Sequence, residues 1–142
     1  MITKVEVATK VIILNQKNEV LLLVRSETDP HVPGTYDFPG GKLTLWETPL
    51  DGAKRETLEE TGIALCELVP IRTWSFEKGE VYIIGITFFA RYQGIPKVVL
   101  SYEHSQYIWL KKEQISLYNI PEAMKVTLWL LFDDKLGKVE FF

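Results

Sequence analysis

The sequence predicts an α/β fold: a mixed sheet covered on both faces, with α+β as the close competitor on element order alone. Three observations point there. Segments rich in β-branched residues flank a well-capped internal helix near residues 49–61, a second helical stretch follows Pro121, and 46% of the 142 residues are apolar against 25% charged. That composition matches an ordinary globular chain, and the length is that of one domain spanning 1–142.

Taken in order, Val5 to Leu14 reads as a strand, Asn15 to Asn18 as a turn, and the largely apolar Glu19 to Arg25 as a central strand forming a hairpin with the first. Ser26 to Gly34 carries prolines and polar residues and is a surface loop, in which His31 gives no functional signal. Tyr36 to Phe38 is a short extended segment leading into Pro39-Gly40-Gly41. The glycine pair exposes backbone amides and carbonyls without Cβ obstruction.

A helix is expected from Pro49 to Thr61. Thr48 is its N-cap, Pro49 its first residue, Asp51 completes a capping-box pattern, and Gly62 is the left-handed stop. At about 100° per residue, Leu50, Ala53, Thr57, Leu58 and Thr61 form the packing arc. Glu56, Glu59 and Glu60 gather on the opposite side, with Gly52 among them leaving room beside the carboxylates. Three such groups repel unless a cation or open water lies between them. Hard divalent ions prefer this kind of oxygen donor. A solvated helix face with an Arg55–Glu59 pair is the alternative reading.

Beyond the helix, Ala64 to Phe76 is a strand broken near Pro70, and Glu77 to Glu80 turns into the long apolar strand Val81 to Tyr92, with Gly85 a candidate bulge. Ile95-Pro96 lies in a loop, Ser101 to Leu110 runs from polar loop into strand, and Leu110 to Leu117 makes a helical turn. Pro121 opens a helix to about Asp133 with Ala123, Val126, Thr127 and Leu130 on one side. The tail Lys138 to Phe142 alternates like an edge strand whose aromatic end suits burial in a partner subunit. Tyr36, Trp46, Trp74 and Phe76 suit core packing more than base stacking.

The net charge of −3 argues against nucleic-acid or anionic-membrane surfaces. A single Cys66 precludes an internal disulfide and fits a reducing compartment. Neither a signal peptide nor a membrane-spanning run is visible, so a cytoplasmic location is the expectation.

Gly41, five residues, Glu47, seven residues, then Arg55-Glu56-Thr57-Leu58-Glu59-Glu60-Thr61-Gly62-Ile63 resembles the Nudix box, the signature of the Nudix hydrolase family. Gly41, Glu47, Arg55, Glu56, Glu59, Glu60 and Gly62 match every fixed position; Thr57 stands where an aliphatic residue is usual. The resemblance implies an α/β/α sandwich and Mg²⁺-assisted attack of water on phosphorus, with Mn²⁺ as a substitute. The substrate would be a nucleoside di- or triphosphate derivative, a nucleoside triphosphate first, with dinucleoside polyphosphates, ADP-ribose or a non-catalytic nucleotide-binding module as alternatives. It carries metal ligation to Glu56, Glu59, Glu60 and the Gly40 carbonyl, and catalysis to Glu56, Glu59 and Arg55, the last held by Glu47. Glu103, on a loop after the box, is the candidate base; the neighbouring His104 reads as structural or solvent-facing. Arg25, Lys42 and Gly41 would face the diphosphate. The proline or tyrosine downstream of the box that marks ADP-ribose or dinucleoside polyphosphate branches is not clearly present near Glu77 to Glu80. A monomer or a homodimer is compatible with these features.

Overall fold

The structure, a computed structural model, describes residues 1–29 and 33–133. Among the described residues, seven strands form one mixed sheet and two α-helices pack with it. The strands are β1 (Lys4–Leu14), β2 (Val20–Arg25), β3 (Tyr36–Asp37), β4 (Gly40–Lys42), β5 (Val69–Lys78), β6 (Val81–Arg91) and β7 (His104–Leu110). The helices are α1 (Pro49–Thr61) and α2 (Glu122–Phe132), the latter preceded by a 3₁₀ turn at Lys112–Leu117.

Strand alternation builds two cores from one sheet. On β1, Val11 and Ile13 face the α1 side with Leu21, Leu23, Phe88 and Ala90, where Ala53, Ile63, Leu65 and Leu68 cover them. Ile12 and Leu14 face the other way with Val20, Leu22 and Phe89, under Ile115, Ile120 and Leu128. Both faces are therefore covered, as in an α/β/α sandwich. Each fully buried Ile or Leu of β1 and β2 contributes about 1.5–3 kcal/mol.

The expected antiparallel hairpin forms, but only next to its turn. β1 and β2 meet only at Leu14↔Val20 and then diverge. β1 runs parallel to β6 along its whole length and takes β4 on its other side. β2 pairs with β3 and β7. The gap where the two strands part is the cleft of the sheet, bordered by β1 with its partner β4 and by β2 with its partner β3.

Further corrections concern local packing. The strand starts later than expected, at Val69, and the irregularity near Pro70 is a register slip between Pro70 and Arg72, tolerated because β5 is an edge strand. Gly85 is not at a bulge; a Cβ there would strike the Trp74 ring, so the missing side chain makes space for the indole. On α2, Thr127 and Leu128 are buried while Ala123 and Val126 are exposed. Tyr36 and Tyr118 pack edge to face and Trp74 stacks on Phe76, but Phe76 is exposed and Trp46 fully so, which corrects the expectation of core packing for those two rings. His31 and the tail 138–142 lie outside the described residues. No helix among the described residues is long and apolar enough to cross a membrane.

Candidate functional site

The helix carrying the acidic residues begins and ends as its sequence dictates. The Thr48 hydroxyl accepts the Asp51 N–H at 3.1 Å, and Pro49 fills the first turn where no amide hydrogen is needed. Gly62 takes the left-handed conformation (φ 73°), and its N–H closes on the Leu58 carbonyl.

The buried face differs from the expected arc. Gly52, Ala53, Thr57, Glu60 and Thr61 are buried, whereas Leu50 and Leu58 are exposed. Small residues let α1 approach β1 and β4 closely. Gly52 accordingly makes room for the Leu43 side chain and the Glu47 carboxylate rather than for the acid cluster.

Glu60 belongs to this inner face and is only 3% exposed. Its Oε1 accepts the Gly40 N–H at 3.2 Å, and its Oε2 lies 3.4 Å from Nδ1 of the buried His104. Burial pushes the Glu60 carboxyl up to about 8, with Lys10 opposing and Glu56 and Asp37 adding to the rise. Burial likewise pushes His104 below its ordinary value. The pair is thus a carboxyl facing a neutral imidazole rather than an ion pair.

Glu56 stands where the two glycines of β4 leave space. A Cβ on Gly41 would lie 2.7 Å from Glu56 Oε2, so only glycine leaves the carboxylate where it is. Gly40 is glycine for its backbone: it adopts φ 145° and a Cβ would strike the Thr9 carbonyl. Glu56 is raised above the usual carboxylate range chiefly by burial; Arg55 opposes this, and Glu59 and Glu103 add to it.

Arg55 ties the cluster together. Its Nε and one terminal nitrogen grip both oxygens of Glu47 at 2.9 and 2.7 Å, a fork-to-carboxylate pairing. The other terminal nitrogen reaches Glu56 at 3.1 Å and Glu59 at 3.2 Å. The Lys42 carbonyl takes a further N–H. Glu47 is therefore the acid that holds Arg55, and the Arg55–Glu59 pair coexists with the cluster instead of replacing it.

Glu103 arrives from a distant loop that is fastened at several points. Val99 N–H donates to the Thr61 carbonyl and Ser101 N–H to the Glu60 carbonyl, at the end of α1. Ser26 donates its N–H to the Glu103 carbonyl and its hydroxyl to the Tyr102 carbonyl. These ties bring the Glu103 charge within electrostatic reach of Glu56.

Of the residues expected to face phosphate, Lys42 is turned away: its ammonium pairs with Glu6 at 2.8 Å on the surface. Arg25 lies at the cleft but is engaged with Asp37 at 2.7 Å and Asp29 at 3.2 Å; burial works against its charge, and the two acids more than restore it. Sequence reasoning missed Lys10 and Asp37, which meet at 2.7 Å across the cleft. A lone lysine inside a β-branched run and an acid between Tyr36 and Phe38 were the available signals.

Among the described residues, no three His, Cys, Asp or Glu side chains already converge as a ligand set for a metal ion. Arg55 fans between Glu56 and Glu59, and Glu60 is turned inward. The donor chemistry nevertheless suits a hard cation. Glu56 and Glu60 are carboxyls displaced toward their protonated forms by burial, with too little positive charge around them, beside the backbone of Gly40.

The NUDIX domain family model matches residues 4–130. The chain belongs to the Nudix family. Nucleoside triphosphatase NudI of Escherichia coli O17:K52:H18 is 31% identical over 129 residues, covering 82% of this chain and 91% of that one. The 8-oxo-dGTP diphosphatase of Escherichia coli K12 is 42% identical over 52 residues, a match to 37% of this chain and 40% of that protein's length. The crystal structure of a MutT protein from Methanosarcina mazei Go1 superimposes with a TM-score of 0.82 at 31% identity, covering 97% of this chain and 99% of that one. These are Nudix hydrolase relatives, and the stretch from β4 through α1 to Ile63 is the Nudix box in three dimensions.

Proposed function

We propose that this chain hydrolyses a pyrophosphate linkage in a nucleoside di- or triphosphate derivative, with a nucleoside triphosphate as the leading substrate class. The observation that carries the reading is the packing of Glu56 and Glu60 against the Gly40–Gly41 backbone. Burial there shifts both carboxyls toward their protonated forms, and a cation bound between them would favour the ionised ones. Similarity to a named nucleoside triphosphatase over most of the chain supports the substrate class.

Glu56, Glu59, Glu60 and the Gly40 carbonyl would hold Mg²⁺ or Mn²⁺. Bound there, such an ion supplies neutralisation of phosphate oxygens and a lower pKa for coordinated water. The chain's own residues do the rest. Arg55, braced by Glu47, fixes the directions of Glu56 and Glu59. Glu103, within electrostatic reach of Glu56, would take the proton of the attacking water. Lys10 and Arg25, which share Asp37 between β1 and β2, would turn their charge to the phosphates of a bound nucleotide.

The test is phosphate and pyrophosphate release from a panel with Mg²⁺: nucleoside triphosphates, their oxidised purine forms, dinucleoside polyphosphates and ADP-ribose. Wild type is compared with Glu59→Gln. Glu59 is 57% exposed and its carboxylate bonds the neighbouring Arg55 on the helix surface, so the fold survives the change. Activity on the best substrate should fall by orders of magnitude in kcat. Equal activity in the variant removes the site assignment, and binding of a nucleotide without any turnover favours a sensor module instead.

A further inference from the structure

We propose that His104 is a positioning residue for Glu60: its Nδ1 carries the imidazole hydrogen and donates to Glu60 Oε2, fixing the carboxylate for cation binding. The inference rests on the reading of Glu60 as a metal ligand and adds a residue outside the Nudix box to that site.

The geometry is specific. Both side chains are more than nine-tenths buried, and their facing atoms are 3.4 Å apart. Nδ1 of His104 is a buried polar atom without a hydrogen-bond partner at that separation, and Glu60 already receives the Gly40 N–H on its other oxygen, at 3.2 Å. A contraction of a few tenths of an ångström completes a bond of ordinary length. Leaving a buried donor unpaired costs about 1–3 kcal/mol, so the closed arrangement is the stable one.

His104 is also well placed to be held still. It is the first residue of β7, paired with Arg25 where β2 slips register. Its loop is tied to Glu60 a second time through Ser101 N–H and the Glu60 carbonyl. With donors on both oxygens, from β4 on one side and β7 on the other, the carboxylate plane is set and its remaining lone pairs are left for the cleft. Hydrogen bonds to ligating carboxylates act in this way on metal sites, and their loss costs about 10–100-fold in metal affinity.

Two substitutions separate the donor from the bulk. In His104→Asn the amide NH₂ sits near the position of Nδ1 and retains a donor, whereas His104→Leu fills similar space with none. Mn²⁺ affinity of the nucleotide-free protein is measured by calorimetry for wild type, both variants and Glu60→Gln, alongside melting temperatures. The expected result is a 10–100-fold loss for His104→Leu and affinity within a few-fold of wild type for His104→Asn. Leu as tight as wild type, or Asn as weak as Leu in folded protein, overturns the proposal. If Glu60→Gln does not weaken Mn²⁺ binding, the metal-ligand reading itself falls. Imidazole nitrogen NMR on wild type gives an answer that needs no variant: a hydrogen on Nδ1 supports the proposal, and a hydrogen on Nε2 alone overturns it.

Discussion

Gly41→Ala separates the function of this site from its stability. The added Cβ would lie 2.7 Å from Glu56 Cδ and Oε2, and 2.9 Å from Oε1. Ordinary carbon contacts begin at about 3.5 Å, so the carboxylate must withdraw by about 0.7–1 Å. The obstruction is the far end of a flexible side chain, which moves cheaply. Gly41 is absent from the residues with positive φ, so alanine suits its backbone and stiffens the unfolded chain by about 0.4–1 kcal/mol. Stability should therefore stay level or rise slightly.

Activity should not. A catalytic carboxylate misplaced by about 1 Å costs on the order of 100-fold, or about 2.7 kcal/mol of transition-state stabilisation. The assay is kcat for pyrophosphate release together with thermal melting on the same preparations. Gly40→Ala is the control for a structural glycine. Its Cβ meets the Thr9 carbonyl and the Lys10 backbone at φ 145°, and the fold should be lost by well over about 1 kcal/mol. If Gly41→Ala retains activity within threefold of wild type, or loses activity only in step with its melting temperature, the placement of Glu56 does not govern the chemistry.

Other substitutions probe the surrounding structure. Trp46 is fully exposed yet held at φ 72°, a conformation costing about 1–2 kcal/mol in a residue with a Cβ; set against the extra freedom of unfolded glycine, Trp46→Gly should stabilise by about 0.5–1 kcal/mol in denaturant unfolding. Thr57 buries a hydroxyl that has no partner, so Thr57→Val should raise the unfolding midpoint by about 1 kcal/mol of stability, and a lower midpoint would show that the hydroxyl is satisfied after all. Arg55→Lys keeps the charge but not the fork that spans Glu47, Glu56 and Glu59, and kcat should drop at least tenfold without rescue by salt. Arg55 draws the Glu47 carboxyl down from 4.5 to about 2, so its contribution to stability is fully present above 4.5 and disappears as pH falls through about 2; Glu47→Gln should flatten the melting-temperature profile in that window.

What was legible in the sequence was what local chemistry decides. The limits of α1 follow from Thr48, Pro49 and Gly62, each acting within one turn of its own position, and the structure places them there. The burial of β2 follows from four consecutive apolar residues that no other environment would accept. Partners in the sheet are another matter. β1 chooses β6 and β4 over its sequence neighbour β2, because divergence from β2 is what allows Lys10 to meet Asp37 and opens the cleft, and no pattern within β1 encodes it.

The helical wheel failed for a reason that bears on the chemistry. It assigns apolar residues to the core and charged ones to water, so it buried Leu50 and Leu58 and exposed Glu60. The structure rotates this arc, because α1 packs on a glycine-bearing strand whose close approach admits only Gly52, Ala53, Thr57 and Thr61, together with one acid that finds a backbone N–H at Gly40. An ordinary helix would turn such an acid outward, since a buried carboxyl with a pKa near 8 disfavours its charged form. Two exposed leucines and one buried glutamate are what a helix shows when its orientation is set by the group it has to present rather than by the apolar area it covers. Exchanging Glu60 for Gln tests that priority directly: the amide keeps an acceptor for the Gly40 N–H while removing the ionisable oxygen, so the fold should hold while the affinity for Mn²⁺ falls, and a variant that loses stability instead would mean that Glu60 is buried for the sake of the fold.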